Sequence, residues 1–324
     1  MAVAKPALSA EQFLPIPLVH LDSLFSHHVL IAEKSTHKLH LYENSASIPR
    51  LVKTYTMATG KMAGNKSFQG DHRTPEGIYH FTSFIPHADL IKKYGKEGEK
   101  YGIGSFVMNY PNIIDRRNGK TGGGIWLHST NDETRIEKGL DSRGCVVIAN
   151  SQLKDISNYI ELQNTKIIVV HNLKFLPKTA WDTERNSIIS TIEKWSAAWR
   201  KEDFKNYITF YHDKKYQDNI RGDKKAFSRY KRAVFAAPGA PTIEVNNMTL
   251  LRNENYVVVT FKQNYKSARI NDIGIKTLYL EKNEFYQWKI VSEQWRKAGP
   301  AERKVAFQPS MRFFKPNEAP QSKN

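Results

Sequence analysis

The 324-residue chain contains a single cysteine, Cys145, and a lone thiol excludes an intramolecular disulfide. No apolar run approaches the roughly 20 residues needed to span a bilayer. The start, Met1-Ala2-Val3-Ala4-Lys5, lacks the apolar core of a signal peptide. The protein is therefore either cytosolic or has had an export signal removed, and composition does not choose between these. Acidic residues are scarce beside basic ones, with 32 Asp and Glu against 49 Lys and Arg, for a net charge of +17. Such an excess favours polyanionic partners: nucleic acid, an anionic membrane surface or an anionic wall polymer. The lysines are dispersed, however, and dense basic blocks, zinc-finger spacings and aromatic RNA-binding signatures are all missing. Nucleic acid is not expected as a partner.

The residues that are present, 40% hydrophobic and 25% charged, are those of a globular protein, and the length suits two domains. Residues 1–27 hold Pro6, Pro15 and Pro17 among Phe13, Leu14, Ile16, Leu18 and Leu24. This segment is too short and proline-broken for a domain. It reads as an arm that packs on something else, a second copy of the protein being one candidate.

From residue 28 to 172 the pattern is strand-like. Apolar or alternating runs occur at Val29–Ala32, Leu39–Tyr42, Val52–Met57, Ile78–Phe81, Phe106–Met108, Ile125–Leu127, Cys145–Ile148 and Lys166–Val170. Turn signals such as Thr59-Gly60, Thr74-Pro75-Glu76-Gly77 and Gly122-Gly123-Gly124 separate them. One helix is expected at about 151–162, capped by Asn150 or Ser151, with Leu153, Ile156, Tyr159 and Ile160 on one face. After Pro177 the period changes. Ile188, Ile192, Trp195 and Trp199 lie on one helix face, then strands at Tyr256–Phe261, Ile275–Leu280 and Gln287–Val291 imply an α+β domain over 181–297. The proline-containing tail, 298–324, should be poorly ordered beyond any packed portion.

Cys145 by itself reads as a small buried hydrophobe. Its surroundings give a second reading. His128 follows the run Ile125-Trp126-Leu127, and Ser142-Arg143-Gly144-Cys145 leads into another strand. Two adjacent strand ends can join an imidazole and a thiol, and the thiolate so generated is a nucleophile. The Ser129 carbonyl would fix the His128 tautomer. Gly144 lets the backbone approach a reacting carbonyl, which makes the N–H groups of Gly144 and Cys145 natural oxyanion donors. These parts suit acyl transfer through a thioester. Among other residues, His72 lacks a spaced partner for a metal site, and His27, His28, His37 and His40 read as surface or strand residues. The glycine triplet at 122–124 lacks the Lys-Ser/Thr of a phosphate loop. No metal and no cofactor is expected.

Here the sequence resembles the L,D-transpeptidases of the YkuD fold, whose signature is a histidine followed some fifteen residues later by Ser/Thr-His-Gly-Cys. The supporting stretches are His128-Ser129, Ser142-Arg143-Gly144-Cys145, Ala58-Thr59-Gly60, Thr74-Pro75-Glu76-Gly77 and Met108-Asn109-Tyr110-Pro111-Asn112 with Asp115. The resemblance implies a mostly β sandwich or barrel with a helix. In it Cys145 would be the nucleophile, His128 the base and Ser129 the orienting carbonyl. The substrate would be a peptidoglycan stem peptide, cleaved between meso-diaminopimelate and D-alanine, in the periplasm. Arg143 replaces the usual second histidine, and Val147 a position commonly Arg or Asn. Arg143 suits either a bidentate clamp on a substrate carboxylate or support of its loop. Ser142 and Tyr110 are further candidates for contacting substrate, a core role for Tyr110 being equally open. Residues 181–297 resemble, more loosely, the NTF2-like α+β cone. The order of parts is similar to peptidoglycan L,D-carboxypeptidases that trim tetrapeptide stems and set cell shape. A cross-linking transpeptidase and a non-catalytic wall-binding protein remain alternatives.

Overall fold

The computed structural model describes residues 11–237, 239, 241–268, 270–303, 313 and 314. An eight-stranded sheet organises the first domain. In spatial order its strands are Val146–Val147, Trp126–His128, Gly104–Met108, Gly77–Pro86, Lys166–Val170, His28–Glu33, Lys38–Ser45 and Ile48–Thr56. The sheet curves around a core of Leu30, Leu39, Phe81, Phe106, Leu127 and Val146, closed by Leu153 and Ile156 of the helix Asn150–Ser157. Each strand contributes every second residue to this core, which is the signature of period-two burial. The helix stops earlier than its periodicity suggests. Its first residue, Asn150, spends its side chain elsewhere: Nδ2 donates to the Thr130 carbonyl (2.8 Å), and Oδ1 accepts from the Ile103 N–H (3.3 Å).

The second domain packs the helices Lys178–Arg200, Phe204–Thr209 and Lys224–Ala236 against a five-stranded antiparallel sheet. Trp195, Trp199, Tyr207, Tyr211 and Phe227 fill the concavity. The helix Lys224–Ala236 and the strand Thr242–Arg252 were not legible in the sequence. The helix buries only Phe227 and is otherwise lysine- and arginine-rich. The strand carries a register shift between Asn246 and Thr249, with Asn247 at φ 53°, which breaks its alternation.

The described part of the N-terminal arm, from residue 11 on, packs within its own chain. Phe13–Pro15 pairs with Phe175–Pro177, and Leu18–His20 adds an edge strand to the second domain's sheet beside Thr242–Arg252. Leu14, Leu18 and Leu24 are thereby buried within the chain, whereas Phe13 stays exposed. Leu18 and Leu21 join Val29, Ile31, Ile78, Ile168, Tyr256 and Val258 in one cluster that spans both domains. The Ile78 N–H donates to the Tyr256 hydroxyl across the junction (2.9 Å), and Arg117 pairs with Glu281. In the tail, Phe313 and Phe314 pack on Phe84, and Phe313 also on Phe106; the rest of the tail beyond 303 lies outside the described residues. Among the described residues no helix is long and apolar enough to cross a membrane.

Candidate active site

Strands Trp126–His128 and Val146–Val147 run parallel, with Val146 opposite Leu127 and Val147 opposite His128. Leu127 and Val146 point into the core. Alternation therefore puts Trp126, His128 and Cys145 together on the opposite face. Cys145 falls one step before the paired strand, beside Trp126 and diagonal to His128.

His128 is 2% exposed, and its Nδ1 lies 2.6 Å from the Ser129 carbonyl oxygen. A carbonyl only accepts, so Nδ1 carries the proton and Nε2 is left as the basic atom. Burial, opposed by that hydrogen bond, lowers the His128 pKa to about 4. Cys145 is 9% exposed, and burial pushes its thiol up to about 11, while a backbone hydrogen bond with Trp126 and the charges of Arg135 and Lys66 pull the other way. The thiol donates to the Gly124 carbonyl at 3.5 Å, which gives the glycine loop a direct part in placing it. Burial thus favours the neutral form of both groups.

A helical cap covers this face. The helix His87–Tyr94 and the 3-10 turn Gly95–Tyr101 bring Leu90, Tyr94 and Tyr101 over Trp126 and Cys145. The Tyr101 ring stands edge-on to His128 with centroids 5.0 Å apart. The cap's exit is clamped from below, because the Ile103 N–H donates to Ser129 Oγ (2.9 Å). Ser129 thus acts twice, its carbonyl on His128 and its hydroxyl on the cap.

Arg135 joins three parts of the site. Its Nε donates to Asp141 (2.7 Å), just before the cysteine loop, and its Nη1 to Thr130 Oγ1 and the Lys100 carbonyl (both 3.1 Å). No periodic or motif signal marks it in the sequence. The same holds for Ser105, which pairs with His128 across the sheet and is fully buried, its hydroxyl without a hydrogen-bond partner among the described residues. The buried pair Lys66–Asp71 (2.6 Å) shapes the neighbouring 61–76 loop. Burial alone would raise the Asp71 pKa, but Lys66 and three backbone N–H groups bring it down to about 2.

Several sequence expectations change here. Gly144 adopts φ 123°, and a Cβ there would meet the Arg73 carbonyl oxygen at 2.8 Å, so only glycine fits. Its N–H, however, donates to Ser142 Oγ (3.0 Å) and not toward the site. Ser142 in turn donates to the Cys145 carbonyl (2.6 Å), so its hydroxyl bonds within the loop both as donor and as acceptor. Tyr110 is a core residue: it is 6% exposed, its ring packs on Tyr79 and its hydroxyl donates to the Thr121 carbonyl (3.1 Å). Arg143 is exposed at the mouth, where its charge acts on Glu97 and Tyr101. His72 sits in a turn at φ 53°, and His27 is buried against His28, not on the surface.

Residues 27–169 match the L,D-transpeptidase catalytic domain of the YkuD family, and residues 187–294 match the NTF2-like domain described for the C-terminus of Cds6. The first domain is thus a YkuD domain, of a family that acts on peptidoglycan peptides, and the second is NTF2-like. Among solved structures, Bd1075 of Bdellovibrio bacteriovorus is 28% identical, with a TM-score of 0.77 over 89% of this chain and 100% of that one. The helical cell shape determining protein Pgp2 of Campylobacter jejuni is 22% identical, with a TM-score of 0.68 over 87% of this chain and 95% of that one. The whole two-domain arrangement is therefore shared. Comparison with curated protein sequences gives no match.

Proposed function

We propose that this protein is a periplasmic peptidoglycan L,D-carboxypeptidase that removes the terminal D-alanine of tetrapeptide stems and so affects cell shape. The observation that carries the reading is the shared face of Cys145 and His128 on adjacent parallel strands, with His128 Nδ1 held by the Ser129 carbonyl. In the first step the Cys145 sulfur bonds to the meso-diaminopimelate carbonyl carbon as its proton passes to His128 Nε2. Because burial disfavours both ions, transfer accompanies attack instead of preceding it. The Cys145 N–H steadies the oxyanion. Collapse breaks the C–N bond, and His128 returns the proton to the leaving D-alanine amine. Water, deprotonated by His128, then hydrolyses the thioester to free tripeptide and thiol. Arg143, exposed beside Glu97 and Tyr101, would meet a stem carboxylate.

An amine acceptor would turn the same acyl-enzyme into a cross-link. The cap over the cysteine favours the small acceptor, water. Incubation with disaccharide tetrapeptide followed by mass spectrometry separates the outcomes. Loss of one alanine is expected. Dimers would mean transpeptidation, and no product with retained wall binding would mean a binding protein. Cys145→Ala should abolish the reaction, and alanine release by that variant would overturn the mechanism.

A further inference from the structure

A cleft of about 610 Å³ runs between the two domains, on the side of the loop that leads to the active site. Its walls carry Asn65, Asn118 and Lys120 from the YkuD domain and Lys214, Gln217 and Asn255 from the NTF2-like domain. Positive charge is in surplus. Arg117 and Lys215 share the single carboxylate of Glu281, and Lys120 is matched by Asp115 (2.9 Å). Lys214, exposed on the cleft wall, forms no ion pair among the described residues. The side-chain amides add paired donors and acceptors, which suit hydroxyl and acetamido groups.

Lys120 lies four residues before Gly124, whose carbonyl receives the Cys145 thiol. Their Cα atoms are then at most ~14 Å apart, a span that two residues and a sugar cover. Resting on the function proposed above, we propose that this cleft binds the part of the substrate preceding the cleaved bond, its acidic residue and the attached N-acetylated sugar. The leaving D-alanine carries neither feature, so the acidic, glycosylated portion stays with the acyl-enzyme. The NTF2-like domain would thereby make the enzyme selective for stems still attached to glycan.

Titration calorimetry on the full chain bearing Cys145→Ala tests this without turnover, comparing disaccharide tetrapeptide with sugar-free tetrapeptide. The glycosylated ligand should bind at least about tenfold tighter, the worth of one or two well-placed polar contacts. Adding Lys214→Ala and Asn255→Ala, both exposed and so not needed for folding, should erase that difference. Equal affinity for the two ligands, or a preference that survives the double substitution, would overturn the proposal. Failure of the catalytic reading is seen separately, as absence of alanine release by the unsubstituted protein.

Discussion

His128 and Cys145 are held neutral by burial, and this sets a pH signature. A base whose pKa is lowered to about 4 keeps its lone pair until the medium is more acidic than that. The acid limb of kcat/KM should therefore fall near pH 4, where an exposed histidine would place it near its ordinary 6.5. A limb near 6.5 would mean the site opens to water before proton transfer. Gly144→Ala makes a second test at this scale. Its left-handed φ and the Arg73 carbonyl leave no room for a Cβ, so the change should cost about 1–3 kcal/mol in thermal denaturation and displace the thiol. The nearness of His128 to Cys145 was readable because each abuts an apolar strand run. The roles of Ser142 and Tyr110 were not, since a hydroxyl or aromatic ring in a motif looks the same whether it faces a ligand or its own loop.

Among the elements, the helical cap was the largest feature the sequence concealed. Two helical turns with one buried residue, Leu90, leave no periodic stripe to detect. Most strands of the first domain, by contrast, are apolar enough on one or both faces to announce themselves. Arg135 holds the cap through the Lys100 carbonyl while also bonding Asp141 and Thr130. Arg135→Gln should cost about 1.5–3 kcal/mol, the range for hydrogen bonds to charged groups. It should also speed amide hydrogen exchange over residues 95–101 and raise the reactivity of Cys145 toward thiol reagents. If exchange there stays at its original rate, the cap is held by its aromatic packing and not by Arg135.

Across the whole molecule, an interdomain core and the intramolecular arm make the two domains one packed body. The sequence showed two domains and an apolar arm, but not that the arm would complete the second domain's sheet, because strand addition depends on an edge elsewhere in the chain. Tyr256→Phe removes the acceptor for the buried Ile78 N–H at the junction. It should lower stability by about 1–3 kcal/mol in denaturant titration, with both domains unfolding earlier; a loss confined to the NTF2-like domain would show that they unfold independently. In the proposed mechanism Cys145 forms a thioester with the stem peptide and passes it to water. Intact-mass spectrometry during turnover of disaccharide tetrapeptide reads this directly. A transient adduct on Cys145, equal to substrate less D-alanine, should form and decay as disaccharide tripeptide appears. Tripeptide release with no adduct from the wild type, or with Cys145→Ala still active, would contradict it.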